Sequence, residues 1–306
     1  MKIDIVIVNW NAGLLLRNCV ESVNKYSADV VSKVVIVDNG SSDGSVKMVS
    51  DCEGVTLVQS NVNLGFGRAC NLGASYCDSE FILFLNPDAC LHNDTLSCVL
   101  KFMGNEKNSN VGICGVQLEN ENGEIARSCS RFPSVMGLFS HAVGLSRLIP
   151  RLGNPMSDWD HLTSKTVDQV IGAFFFVRRR VFDQLQGFDE RFFVYFEEVD
   201  FAYRAKILGW SNFFVADAQA FHLGGGVSRQ VKSQRLFYSS RSRIQYAFKH
   251  FDRLEILLVI LITFFVEPIC RVVLSLGKFS FTSFKETVYA CIKLYSWSFN
   301  LLLRRK

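Results

Sequence analysis

The chain has 306 residues, 49% of them hydrophobic, with only 5 prolines, so it can bury a large core and is too apolar to be disordered or low-complexity. Its net charge of +4 is unevenly placed: from Ser228 onward 14 basic residues stand against 4 acidic ones, net +10, and the preceding part is −6. The tail is a basic appendage, and the long aliphatic runs within it argue against a nucleic-acid partner.

At the N-terminus, "MKIDIVIVNWN" lacks a basic region followed by an apolar stretch and a cleavage site, so no signal peptide is expected. Residues 3 to 8 are β-branched and almost wholly apolar, and Leu16, Cys19, Val20 and Val23 then recur at helical spacing. The alternation repeats: "KVVIVDN" precedes a helical "DGSVKMVSDC", "VTLVQS" precedes "GRACNLGASYC", and "FILFLN" precedes "NDTLSCVLKFMG". Four βα units predict an α/β fold with a Rossmann-like, mostly parallel sheet flanked by helices. Beyond residue 110, "VGICGVQLENENGEI" predicts two strands around Asn122-Gly123, and "VDQVIGAFFFVRRRVF" a buried strand running into a helix with basic residues at its start. The ten cysteines form no C-x-x-C pair, and Cys19, Cys98 and Cys114 fall inside apolar patterns, as expected of reduced core residues in a cytosolic protein.

Each predicted strand ends in polar residues: Asn9 and Asn11, Asp38 and Asn39, Asn61 and Asn63, Asn86 and Asp88. Ligands of open α/β sheets bind outside the carboxyl ends of the strands, so these side chains should converge on one crevice. Neither a P-loop nor a G-x-G-x-x-G follows the first strand, and Gly65-Phe66-Gly67 lacks the third glycine. Asp38 suits a nucleobase or ribose hydroxyl and equally a turn formed by Asp38-Asn39-Gly40. Asp88 either faces this crevice or serves as a helix or turn cap before Leu91. Glu197, Glu198 and Asp200 open a helical segment, where acids commonly offset the helix dipole. His222 is the histidine beside a glycine run, while His92, His141, His161 and His250 read as structural.

The segments "VNWN", "VDNGSSDGS", "NLGFGRACNLG", "FLNPD", "GAFFFVRR", "GFDERFFVYFEEVDFAYRAKILGW" and "FHLGGG", in this order, resemble the inverting glycosyltransferases of family 2, of the GT-A fold, in their rhamnosyltransferase-like branch. The resemblance implies that Asn9, Asn11, Asp38, Asn63, Gly65, Asn71 and Asn86 line a nucleotide-sugar site, and that Asp88 and His222 hold Mg or Mn against the donor diphosphate. Glu198 matches the position of the base that deprotonates the acceptor hydroxyl, with Glu197 and Asp200 as competitors for that role. Two positions depart from the family pattern: Asn86 replaces the first acid of the metal motif, and Glu198 is one methylene longer than the commoner Asp. Gly172-Ala173 matches a segment lining the donor and acceptor pocket. The implied donor is dTDP-L-rhamnose and the acceptor a lipid-linked glycan of a bacterial surface polysaccharide. The alternatives are another hexose donor or a catalytically inactive, membrane-attached sugar-binding subunit.

The expected organisation is a GT-A domain over residues 1–250 and a helical, basic tail over 251–306. "ILLVILITFFV" is apolar for 11 residues before Glu267-Pro268, short of the ~18 wanted for a confident span. "VYACIKLYSWSFNLLL" ends at Arg304, Arg305 and Lys306. With Arg241, Arg243, Lys249 and Arg253 before the first segment, and Tyr289, Tyr295 and Trp297 in the second, interfacial or re-entrant helices on the cytoplasmic face of the inner membrane are expected.

Overall fold

A computed structural model describes residues 1–225 and 232–303. The third residue of the glycine run, Gly226, and the terminal Arg304, Arg305 and Lys306 lie outside the described residues. In chain order the elements are β1 (Ile3–Asn9), α1 (Leu14–Ser27), β2 (Val31–Asn39), β3 (Val55–Ser60), α2 (Phe66–Ala74), β4 (Phe81–Leu85), β5 (Ala89–Leu91), α3 (Thr95–Met103), β6 (Val111–Glu119), β7 (Ile125–Ala126), β8 (Cys129–Ser130), α4 (Val135–Ala142) and α5 (Leu145–Leu148). There follow β9 (Lys165–Val167), β10 (Gln169–Val170), β11 (Phe174–Arg178), α6 (Arg179–Gln184), α7 (Glu197–Ile207), β12 (Ser211–His222), α8 (Lys232–His250), α9 (Arg253–Leu261), α10 (Glu267–Gly277) and α11 (Phe281–Leu303).

The chain divides into two compact units. The first, over residues 1–132, 159–193 and 197–225, is built on a sheet of order β3-β2-β1-β4-β11-β6-β12-β5. The four strands read from the sequence pair in parallel, with β11 antiparallel to both β4 and β6. Helices cover both faces, which explains why every residue of β1 is buried. Ile3, Ile5 and Ile7 pack with Leu16, Val20, Val99 and Leu100 of α1 and α3. On the opposite face Phe84, Phe175, Phe182, Phe188 and Phe201 form one ring cluster, with Phe84 and Phe188 edge to face at 5.0 Å between centroids. Gly73 brings α2 down onto Val6 and Val37, where a methyl group would collide. This is the mostly parallel sheet flanked by helices that the four βα units predict.

The two strands after residue 110 form as predicted, β6 and β7 pairing antiparallel around a turn closed by Gly123 N–H to Asn120 O at 3.0 Å. The helix expected over "DGSVKMVSDC" does not form; only a 3₁₀ turn spans Ser45–Val49. Asp43 diverts the backbone, accepting from Ser45 N–H at 3.0 Å and from its hydroxyl at 2.6 Å.

The second unit, over residues 133–158, 194–196 and 232–303, is helical. Asp252 and Glu255 cap α9 reciprocally, each side chain accepting from the other's N–H. Pro268 does not end the helix: α9, a π-helical turn over Ile262–Val266 and α10 run on as one stretch, Arg253–Gly277. Proline has no N–H to offer the Phe264 carbonyl, and the Tyr295 hydroxyl of α11 donates to it instead at 2.8 Å. This 25-residue stretch, mean hydropathy 2.4 over its most apolar window, is long and apolar enough to cross a membrane by length and composition alone.

Candidate active site

Parallel order places the carboxyl ends of β1, β2 and β3 side by side, with β4 next to β1. There Asn9 Nδ2 donates to Asp38 Oδ1 at 2.8 Å, Ser45 Oγ at 2.8 Å and Ser41 Oγ at 3.1 Å. Asp38 Oδ2 accepts from Ser41 N–H at 3.3 Å, so this buried carboxylate is held by the loop that follows β2. Asn11, at φ 53°, accepts from Ser42 N–H at 2.7 Å through Oδ1 and pins the same loop to the end of β1. Asn9 Oδ1 is buried without a hydrogen-bond partner, an acceptor held ready at the strand end.

Asn63 Oδ1 accepts from Asn39 Nδ2 at 3.0 Å and from Gly65 N–H at 2.9 Å, and Asn39 Oδ1 takes the Leu64 N–H at 2.7 Å. Gly65 is required by its surroundings: φ is +88°, and a Cβ would run into the Phe193 carbonyl, which accepts from Phe66 N–H at 2.7 Å. Asn71 is placed differently from the other predicted ligands. Its amide brackets Phe188, accepting from the N–H and donating to the C=O, both at 2.8 Å, so it clamps the loop before α7.

The turn after β4 is closed by Ala89 N–H to Asn86 O at 3.0 Å, and Asn86 N–H reaches Ala173 O at 3.0 Å. Asp88 follows, next to β5, whose Ala89 pairs with His222 on β12. Asp88 Oδ1 and His222 Nε2 stand 3.4 Å apart, both residues are buried, and that nitrogen lacks a hydrogen-bond partner. An oxygen and a nitrogen at this separation can share one divalent cation. Among the described residues no group of three or more His, Cys, Asp or Glu could hold an ion alone. Phosphate oxygens and water would therefore complete the shell, as is usual for Mg.

Of the three acids at the start of α7, the fold separates the roles. Asp200 is fully buried and bound by Arg204 Nε at 2.7 Å, whose guanidinium also caps Leu185 O and Gly187 O. Glu197 is buried where α2 passes, its Cβ 3.4 Å from where a Gly67 methyl would lie. Glu198 alone keeps part of its surface open, and it faces Gly172, at which an added Cβ would sit 3.9 Å from both Glu198 Cγ and Phe66 Cε1. Oε2 of each glutamate is covered and unpartnered. Burial pushes both carboxyls above the usual range, Glu197 further because the Glu198 charge lies beside it.

Two further buried polar side chains are structural. Arg178 is buried and donates to the carbonyls of Val111, Met103 and Asn108. His161 is buried, bonded to Cys129 N–H and the Trp159 carbonyl. Sequence reasoning missed the serines Ser41 and Ser45 and the clamp role of Asn39, although the Asx-rich "DNGSSDGS" carried the signal. It also missed that Tyr195 and Phe196, directly before α7, both adopt left-handed φ, 67° and 72°, a strain that no glycine announced.

A model described as glycosyl transferase family 2 matches residues 4–186, more than half of the chain. The chain belongs to this glycosyltransferase family. It is 29% identical over 237 residues to N-acetylglucosaminyl-diphospho-decaprenol L-rhamnosyltransferase of Mycobacterium tuberculosis, covering 72% of this chain and 75% of the relative. It is 24% identical over 268 residues to rhamnosyltransferase WbbL of Escherichia coli, covering 82% and 97%. Among solved structures, the mannosyltransferase PcManGT of Pyrobaculum calidifontis, in complex with GDP-Man and Mn²⁺, superposes with a TM-score of 0.58 at 13% identity, over 96% of this chain and 87% of the other. That likeness concerns the GT-A fold, on which this family 2 enzyme is built.

Proposed function

We propose that this glycosyltransferase moves L-rhamnose, with inversion, from dTDP-L-rhamnose to a lipid-linked glycan at the cytoplasmic face of the inner membrane. The observation that carries the reading is its similarity to rhamnosyltransferases of two bacteria along most of their lengths, one of them named for a diphospho-decaprenol acceptor. In this reading residues 1–250 carry the chemistry and 251–306 the attachment to the membrane.

Asn9, Asn11, Asp38, Asn63 and Gly65 form the cradle for the nucleotide, and Asn71 holds the loop that closes beside it. Asn86 presents Asp88, which with His222 would hold Mg or Mn. The bound cation would offset the negative charge that builds on the departing diphosphate. Glu198 takes the proton from the acceptor hydroxyl as its oxygen attacks the anomeric carbon. The bond from that carbon to the diphosphate breaks, and its electron pair leaves with the nucleotide. One displacement gives one inversion. Covered surroundings make Glu198 a stronger base than a solvated glutamate, and Gly172 leaves room for the sugar because it has no side chain.

Calorimetric titration of a panel of nucleotide sugars, with and without Mn or Mg, tests the site. Binding of dTDP-L-rhamnose that depends on the metal and is lost in Asp88→Ala is expected. A preference for another donor would move the reading to a different hexose, and no donor binding under any metal would leave a sugar-binding subunit.

A further inference from the structure

The helical unit exposes large apolar side chains in an ordered way. Along Arg253–Gly277, Leu254, Leu257, Leu261, Phe265, Ile269, Val273 and Leu276 stand exposed at three- or four-residue intervals. Polar residues in the middle of the stretch turn inward: Thr263 and Glu267 are buried, Glu267 held by Arg243 Nη1 at 2.5 Å and Arg271 Nε at 2.8 Å, while Arg253 at its start is exposed. A crossing helix with lipid all round it has no reason to segregate its faces in this way, whereas a helix lying in an interface does. On α11, Val288, Ile292, Tyr295 and Phe299 repeat the pattern.

Two tips add to these stripes. Between α5 and the turn that follows, Leu148 is 81% exposed and Ile149 is exposed beside it, flanked by the exposed Arg147 and by Arg151, whose side chain is 86% exposed. Between α10 and α11, Phe279 is 96% exposed and Phe281 is exposed, flanked by the exposed Lys278 and by Lys285, whose ammonium lies 4.5 Å from the Phe281 ring centre. The first tip belongs to the inserted segment Pro133–Asp158, whose helix α4 packs through Leu138 against Val259 of α9. Met136 and Phe139 of α4 and Val143 just after it are exposed.

We propose that this unit docks in the plane of a bilayer bearing anionic headgroups, and that the insertion, through Leu148 and Ile149, is a membrane anchor alongside the Phe279–Phe281 tip. Bulky apolar side chains bracketed by cations suit a surface that is hydrocarbon below and anionic above. An interface with a second protein copy is depleted in lysine, whereas Lys278 and Lys285 flank the Phe279–Phe281 tip. The inference rests on the membrane-surface part of the proposed function and is independent of which sugar is moved.

Flotation of the full chain with vesicles of phosphatidylcholine containing about one third phosphatidylglycerol tests it, with phosphatidylcholine alone as comparison. Wild type should float with the anionic vesicles, and Leu148→Glu/Ile149→Glu and Phe279→Glu/Phe281→Glu should each weaken partitioning by about tenfold or more. Arg147→Gln/Arg151→Gln should lose mainly the preference for anionic lipid and its salt sensitivity. The milder Leu148→Ser should show a partial loss, and unchanged circular dichroism and thermal melting verify the fold of each variant. Insertion variants that float like wild type would overturn the assignment. So would a chain that ignores vesicles and forms concentration-dependent dimers disrupted by the same substitutions. Intact flotation without sugar transfer would sink the enzymatic reading and leave this one standing.

Discussion

Two adjacent glutamates at the start of α7 give opposite predictions because their surroundings differ. Glu198 keeps part of its surface open and lies beside Gly172, so Glu198→Gln should cut kcat by about 10²–10⁴-fold and leave donor affinity unchanged, as rapid-mixing kinetics and calorimetry would report. Its base form is the deprotonated one and its pKa is raised by burial, so kcat/KM of the wild type should rise with pH along a limb displaced above the usual glutamate range. Glu197 is buried, with one oxygen unpartnered. Its folded pKa lies above the unfolded one, so the native state binds the extra proton, and stability falls as pH rises between the two values. Glu197→Gln should therefore stabilise the protein at neutral pH by about 1 kcal/mol or more. The gain should vanish below the unfolded pKa; denaturant titrations at both pH values check this. The sequence named all three acids of this cluster, but only the Arg204 bridge to Asp200 and the open side of Glu198 tell them apart.

At the scale of elements, the site is a set of loops held to strand ends by side-chain amides. The apolar runs made the four parallel strands legible, because a strand buried on both faces has little freedom in composition. The 3₁₀ turn over Ser45–Val49 was not legible, since a helical spacing of apolar residues says nothing of an Asp43 side chain competing for the backbone. Similarly, Pro268 reads as a break until Tyr295, 27 positions on, is seen to satisfy the carbonyl it strands. The motif residues also divide on inspection: Asn63 and Gly65 shape the loop at the crevice, whereas Asn71 fastens Phe188 from behind. Gly65→Ala should be the least tolerated change in the loop. It needs φ of +88° and meets the Phe193 carbonyl, so a loss of about 1–3 kcal/mol in stability together with weaker donor binding is expected from thermal melts and calorimetry.

At the scale of the whole molecule, the residues proposed to bind the nucleotide all lie in the sheet unit, and the exposed apolar tips all lie in the helical one. Donor affinity should therefore be the same with and without vesicles, while transfer to a lipid-linked acceptor should fall in Leu148→Glu/Ile149→Glu, a split that parallel calorimetry and product assays would reveal. The charge asymmetry of the sequence foretold a basic appendage, but not that the insertion Pro133–Asp158, far upstream of α9, would join the same unit, because that association is made by packing alone. Rhamnose transfer can be followed by incubating the purified chain with dTDP-L-rhamnose, Mg or Mn and a polyprenyl-diphosphate-linked glycan, and recording dTDP release together with the acceptor's mass. dTDP release should match the addition of one deoxyhexose, be abolished in Asp88→Ala and be strongly slowed in Glu198→Gln. Release without acceptor gain, gain of a different sugar, or full turnover in both variants would contradict it.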